Sequence, residues 1–266
     1  MDVYVGTSGY SYKEWKGKFY PENLPERQML SYYGERFRSV EINSTFYGMP
    51  KASVVQRWAE QVRGDFQFAL KAPRQITHLN KLANAGDLVS NLLEVAGVLS
   101  AHRGPVLFQL PPSSTKDLPR LRAFLALLPR QGRVAFEFRH SSWFDDEVFG
   151  LLCDHRAALC VADAEGDLKV PVVATADWGY LRLRRPEYSD AELQTWVRRV
   201  QGQDWRSAFV FFKHEEEGKG PQMAQRFLEL AASLRFARAR AGVGLPLGPH
   251  GRPMPNGAPR PIDPGR

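Results

Sequence analysis

The chain has 266 residues, 43% hydrophobic and 24% charged, a length and composition that suit a full hydrophobic core in one domain. Its formal charge of +7 gathers at one end: from Arg235 onward, Arg235, Arg238, Arg240, Arg252, Arg260 and Arg266 face a single acid, Asp263, so the rest of the chain carries only +2. No apolar run is long enough for a membrane span and the first residues do not resemble a secretory leader, so a cytoplasmic protein is expected.

Taken in chain order, short β-favouring runs alternate with helical patterns. The runs are Val3–Gly6, Val40–Ile42, Phe66–Leu70, Val106–Leu110, Val134–Phe138, Ala158–Ala162, Tyr180–Leu183 and Phe209–Phe212. Between them lie segments such as "DLPRLRAFLALLPRQG", "FDDEVFGLLCDHRAA" and "SDAELQTWVRRVQG", which open on Asp or Ser and close on small residues or Gly, as helix ends prefer. Roughly eight strand–helix units predict an α/β fold, a parallel (β/α) barrel spanning residues 1–238. A doubly wound open sheet is the alternative, but the first turn, "VGTSGYS", is not a dinucleotide fingerprint. Residues 239–266 are rich in Gly, Pro and Arg and are expected to be disordered. The two cysteines, Cys153 and Cys160, sit in apolar surroundings and are expected to be reduced, packed thiols.

Strand side chains alternate in direction, so the C-terminal ends of the runs can be sorted by side. Glu41 and Asn43 share one side of the second strand, and Glu137 and Arg139 one side of the fifth. Arg182 and Arg184 share one side of the seventh. Lys71, Gln109, Asp163 and Lys213 close the third, fourth, sixth and eighth, with His214 following. Barrel enzymes react at this rim. Cations outnumber carboxylates there, which predicts an anionic ligand. The competing expectation is an ion-pair network that only stabilises the barrel.

The loops add Tyr10, Tyr12, Trp15, Phe19 and Tyr20 after the first strand, Phe46 and Tyr47 after the second, and Trp143 after the fifth. Such rings suit stacking on a ligand or, more simply, local packing. Gly218 and Gly220 precede Pro221, read as the first residue of the last helix, a place where free N–H groups hold phosphate. No cofactor is predicted. A divalent metal held by some of Glu41, Glu137, Asp163, His78 and His214 is the minor alternative, since nearby Lys and Arg compete for the carboxylates. No G-x-S-x-G turn occurs, so a serine triad is not expected.

The motifs "VGTSGYSYKEWKGKFYPENLP", "VEINSTFYGMP", "FALKAPRQITH", "GPVLFQLPPS", "VAFEFRHSSWF" and "WGYLRLRRPEYS" occur in this order. They resemble the successive motifs of the YecE-like family (domain of unknown function 72). The resemblance implies a TIM-type barrel. It also implies that Glu41, Asn43, Thr45, Lys71, His78, Gln109, Glu137, Arg139, Trp143 and Arg182 line one face. Two departures from the family pattern add charge: "FFKHEEEGKGPQMA" where many members have an asparagine-rich segment, and Arg184–Arg185 where a His-Gly pair is common.

Three functional expectations follow. The first is an enzyme of hydrolase or isomerase type acting on a phosphorylated or nucleic-acid-derived substrate. In it Glu41 and Glu137 are general acid and base. Lys71, Arg139, Arg182 and Lys213 hold the anion, and Asn43, His78, Gln109 and Trp143 orient the substrate. The second is a non-catalytic nucleic-acid binder using the mouth and the basic end. In the third the rim is structural only.

Overall fold

A computed structural model describes residues 1–213 and 218–242, the last eight by backbone alone. Eight strands form one parallel sheet: β1 Asp2–Thr7, β2 Ser39–Ile42, β3 Gln67–Lys71, β4 Arg103–Gln109, β5 Val134–Glu137, β6 Ala158–Asp163, β7 Trp178–Leu183 and β8 Ser207–Phe212. The hydrogen-bonded order is β1-β8-β7-β6-β5-β4-β3-β2, every pair parallel, which curls the sheet into a barrel. Among the described residues seven α-helices accompany it: α1 Met29–Gly34, α2 Ala52–Ala59, α3 Gly86–Gly97, α4 Leu118–Leu125, α5 Asp146–Asp154, α6 Asp190–Gln201 and α7 Lys219–Gly242.

The caps read from the sequence are in place. Asp117 and Asp145 accept N–H bonds at the starts of α4 and α5, and Ser189 and Glu192 form a reciprocal capping box at α6. Each cap contributes about 1 kcal/mol by satisfying donors that the first turn leaves free.

Three expectations are corrected. One crossover, residues 164–177 between β6 and β7, contains no helix. Its Thr175 hydroxyl instead donates to the Ala157 carbonyl and accepts the Leu159 N–H, while Val170, Val172 and Val173 cover the barrel wall. The last helix starts at Lys219, so Pro221 lies within its first turn rather than opening it. Cys160 is buried inside the barrel, but Cys153 is exposed on α5. The segment 243–266 and His214 lie outside the described residues.

The seam between β1 and β2 lacks a regular ladder and is closed by a side chain. The Tyr33 hydroxyl accepts the Thr7 N–H at 2.8 Å and donates to the Ser39 carbonyl at 3.0 Å. Above it, the Gly9 N–H donates to the Glu41 carbonyl at 2.8 Å. Gly6 makes this approach possible, since a Cβ there would lie 1.9 Å from the Ser39 oxygen. Tyr33→Phe leaves a buried donor and a buried acceptor unpaired and is expected to lose about 1–3 kcal/mol of stability in urea denaturation. A loss under about 0.5 kcal/mol would show that the seam closes without the phenol.

Apolar side chains fill the lower barrel: Ala69, Leu107, Ala135, Ala158, Cys160, Trp178, Tyr180, Phe209 and Phe211 form one buried cluster. It is a packed interior of the kind expected of such barrels. One pleat period further along the strands the inward positions turn polar. That layer is the floor of the candidate site.

Candidate functional site

The floor is built around Arg182. It sits two residues after Tyr180 on β7, on the same inward parity, and is 1% exposed. Its guanidinium reaches across the barrel to two strands. Nε and Nη2 donate to the Glu41 carboxylate at 2.9 and 2.8 Å, and Nη1 donates to Glu137 Oε2 at 2.6 Å. Glu41 also accepts from the Ser8 hydroxyl and the Tyr180 hydroxyl, each at 2.7 Å. Glu137 also accepts from Gln109 Nε2 at 2.8 Å and Arg139 Nε at 2.9 Å. Both glutamates are fully buried.

This saturation sets their charge state. Burial, the largest single effect, raises both carboxyls. The Arg182 charge, together with the hydrogen bonds from Arg182, Ser8 and Tyr180 at Glu41, and with Arg139 and Gln109 at Glu137, outweighs it, so that both are held below the usual carboxylate range. Burial in turn pushes the Tyr180 phenol well up, which keeps it a donor to Glu41. Each carboxylate oxygen already accepts at least one hydrogen bond. The two residues expected as general acid and base are therefore the buried counter-charge of Arg182.

Above this floor stand cations with fewer partners. Arg139 spends Nε on Glu137; its two terminal nitrogens have no partner among the described residues and its side chain is 26% exposed. Arg184 is half-buried, and its Nε is buried without a hydrogen-bond partner. Lys71, at the end of β3, is half-buried with its amine 3.9 Å from the centre of the Phe46 ring. Burial and then the charge on Arg182 lower its amine to about 8. His78 lies edge-on to the same ring, with centroids 4.9 Å apart, and its Nδ1 is 2.9 Å from the Thr77 hydroxyl. Burial and then Lys71 lower the imidazole below its ordinary value. It stands on the π-helical turn Gln75–Leu79, an irregularity often found at functional sites. Lys213, directly after β8, is half-buried.

Other expected residues are elsewhere. Asp163 faces outward, where it pairs with Arg185 at 3.2 Å and accepts the Trp196 indole N–H at 3.2 Å. The register explains this, since Arg182 faces inward opposite Ala162 while Asp163 lies opposite Leu183. Asn43 leaves the strand conformation (φ −86°, ψ −21°), so alternation ends before it. It lines a separate cavity of about 190 Å³ with Gly9, Tyr10, Ser44 and Trp58. Gln109, by contrast, belongs to the floor, buried as a donor to Glu137.

Trp143, expected to orient substrate, is 2% exposed, stacked on Phe138 at 4.5 Å and 6°, and donates its indole N–H to the Ser114 carbonyl at 2.7 Å. It is a core residue outside the barrel. The first-loop aromatics pack likewise: Trp15 and Tyr20 are buried, and Phe19 stacks on Phe37. Thr45 is buried and donates toward the backbone carbonyls of Ile42 and Lys71, at 3.0 and 2.7 Å, tying the end of β2 to the end of β3.

Two contributors escaped sequence reading. Ser8 lies just beyond β1, in an unremarkable "GTSG" turn. Tyr180 only opens the β-favouring run Tyr180–Leu183, although its parity with Arg182 marks it as inward. Among the described residues no group of three or more His, Cys, Asp or Glu is placed to hold a metal ion, and no helix is long and apolar enough to cross a membrane.

An eight-stranded parallel barrel, its C-terminal mouth floored by a Glu–Arg–Glu triad under a ring of cations, defines the class. The profile described as "Protein of unknown function DUF72" matches residues 4–241, and the chain belongs to that family. It is 34% identical over 143 residues to the UPF0759 protein YecE of Escherichia coli K12, a match over 53% of this chain and 50% of YecE. The chain thus spans about half the length of that relative. It is 22% identical to the UPF0759 protein YunF of Bacillus subtilis over 81% of this chain and 79% of YunF. Among solved structures, a DUF72 family protein from Thermotoga maritima superposes with a TM-score of 0.77 at 28% identity, over 87% of this chain and all of that one. A second, from Enterococcus faecalis, gives 0.74 at 16% identity over 86% and 95% of the two chains, a likeness of fold alone.

Proposed function

We propose that this protein is an enzyme of hydrolase or isomerase type that binds a phosphorylated substrate in the barrel mouth, with Arg139, Arg184 and Lys71 around the anion. One observation carries the reading: both inward carboxylates are consumed by Arg182 and Arg139, while Arg184 keeps its buried Nε, and Arg139 its two terminal nitrogens, without a partner among the described residues. Arg182 and the two glutamates together carry −1, Arg139 cancels that, and Lys71 and Arg184 leave the mouth positive. A confined positive mouth with low-dielectric walls favours an anion, and the planar guanidinium fork matches phosphate oxygens. In this reading Glu41 and Glu137 position the cations. Proton exchange falls to Lys71, whose amine is lowered to about 8, and to His78, whose lowered value keeps the imidazole a neutral proton acceptor.

The reading is tested by thermal shift of the full chain with inorganic phosphate, sugar phosphates and single-stranded oligonucleotides. A ligand that binds the folded state raises Tm with its occupancy. A sugar phosphate is expected to raise Tm in the wild type, and Arg184→Ala to weaken its affinity by about tenfold or more, the loss of one charge-assisted hydrogen bond. No shift with any phosphate ester would overturn the reading. A shift with oligonucleotides alone, falling steeply with salt and indifferent to Arg184, would favour non-specific phosphate neutralisation outside the mouth.

A further inference from the structure

We propose that Lys71 is a nucleophile: its amine condenses with the carbonyl carbon of a phosphorylated aldehyde or ketone, forming an imine, while Arg139 and Arg184 hold the phosphate. The proposal rests on the anion-site reading above and extends it to a reaction.

The geometry is that of a reactive amine. Lys71 ends β3 at the C-terminal rim, on the inward side, with its backbone carbonyl fixed by Thr45. No carboxylate among the described residues lies within ion-pair distance of its nitrogen, because Glu41 and Glu137 are turned onto Arg182 and Arg139. The groups acting on it are Arg182 from β7, Glu41 from β2, Glu137 and Arg139 at the end of β5, and His78 from the π-helical turn. The net result lowers the amine to about 8, so that about a tenth of the population is the free base at pH 7. A desolvated lysine beside other cations is a recurrent way to make an amine nucleophilic at neutral pH. Phe46 shields one side, and His78 on the same ring is a proton acceptor within the mouth.

The step balances without an oxidant or reductant. The nitrogen lone pair forms the C–N bond as the carbonyl π-bond breaks onto oxygen, which takes a proton. The resulting ammonium gives up one proton, with His78 placed to accept it. The C–O bond then breaks and the hydroxyl leaves with a proton as water, leaving C=N. The protonated imine withdraws electrons from the neighbouring carbon, which suits isomerisation or carbon–carbon cleavage.

The test is reductive trapping on the full chain. The protein is incubated with a triose phosphate, or with the unphosphorylated triose, and sodium cyanoborohydride, whose hydride converts the imine into a stable secondary amine. Peptide mass mapping then reads which lysine is modified. Lys71 is expected to be labelled at least about tenfold faster than exposed Lys51, because phosphate held by Arg139 and Arg184 keeps the carbonyl beside its amine. Its labelling rate is expected to reach half-maximum near pH 8. The phosphorylated sugar is expected to outpace the neutral one in the wild type but not in Arg184→Ala. Lys71→Arg keeps the charge and is expected to retain the phosphate-dependent rise in Tm while losing the adduct.

If triose phosphate raises Tm in an Arg184-dependent way but labels Lys71 no faster than Lys51, the imine proposal fails and the anion site stands. If there is neither shift nor selective label, both fail. If Lys71 reacts equally with both sugars, an amine of ordinary selectivity is indicated and the proposal is overturned in its substrate.

Discussion

Arg182→Leu is expected to destabilise the protein by about 3–5 kcal/mol in urea or guanidinium titration at pH 7. The guanidinium supplies the counter-charge to Glu41 and Glu137 and is itself as buried as they are. Removing it leaves two carboxylates in a low-dielectric interior, one of them, Glu41, with only the hydroxyls of Ser8 and Tyr180 as further partners. The cost is that of uncompensated buried charge, and it exceeds the net stabilisation that the intact network contributes. The pH dependence carries the sign. In the wild type both carboxyls lie below their unfolded value of 4.5, so their contribution is present above that value and is lost as pH falls through the folded ones. In the variant, burial without Arg182 raises Glu41 above its unfolded value, so acidification from pH 7 is expected to recover stability before general acid unfolding sets in. A variant within about 1 kcal/mol of wild type, with an unchanged acid limb, would mean that the triad is not what organises the rim.

The second large effect concerns Trp143. Trp143→Ala is expected to cost about 3–5 kcal/mol, because a fully buried indole leaves a cavity that its neighbours cannot fill. The stack on Phe138 and the bond to Ser114 tie the segment after β5 to the loop after β4. Trp143→Phe keeps the stack and loses the bond, for about 1–2 kcal/mol, and is expected to leave phosphate-ester affinity unchanged. The stabilities come from denaturant titration and the affinities from ligand-dependent Tm. An alanine variant of normal stability with tenfold weaker binding would return Trp143 to the role of a ligand-stacking residue. The two predictions concern the layer that holds the rim, Arg182 and Trp143, and are independent of the ligand roles proposed for Lys71 and Arg184.

Much of this was legible because strands alternate with a period of two. Glu41, Lys71, Glu137, Arg139, Arg182 and Arg184 share the rim because each falls on one parity at a strand's end, and the structure brings them together. Alternation sorts residues into two sides but does not say which side is inward when both are buried and apolar. Asp163 shows the consequence: it shares the side of Val161, and that side packs against the outer helices. Asn43 shows another limit, since one residue beyond the strand the backbone turns and parity lapses. The first-loop rings Phe19 and Tyr20, equally able to stack on a ligand or on each other, resolved into packing because Tyr32 on α1 and Phe37 beyond it supply their partners.

The amino-acid sequence by itself determined the eight-stranded barrel, the helix caps, the family and the set of charged residues at the rim. Each of these follows from periodicity, capping chemistry or local motif, all properties of neighbours in the chain. Only the tertiary structure decided which charges neutralise one another. Arg182 stands 141 positions from Glu41 and 45 from Glu137 in the chain, and nothing local ties them. Closing the barrel puts one guanidinium within reach of both carboxylates, and that contact makes Glu41 and Glu137 the buried floor of the mouth, with Lys71, Arg139 and Arg184 at the strand ends around it.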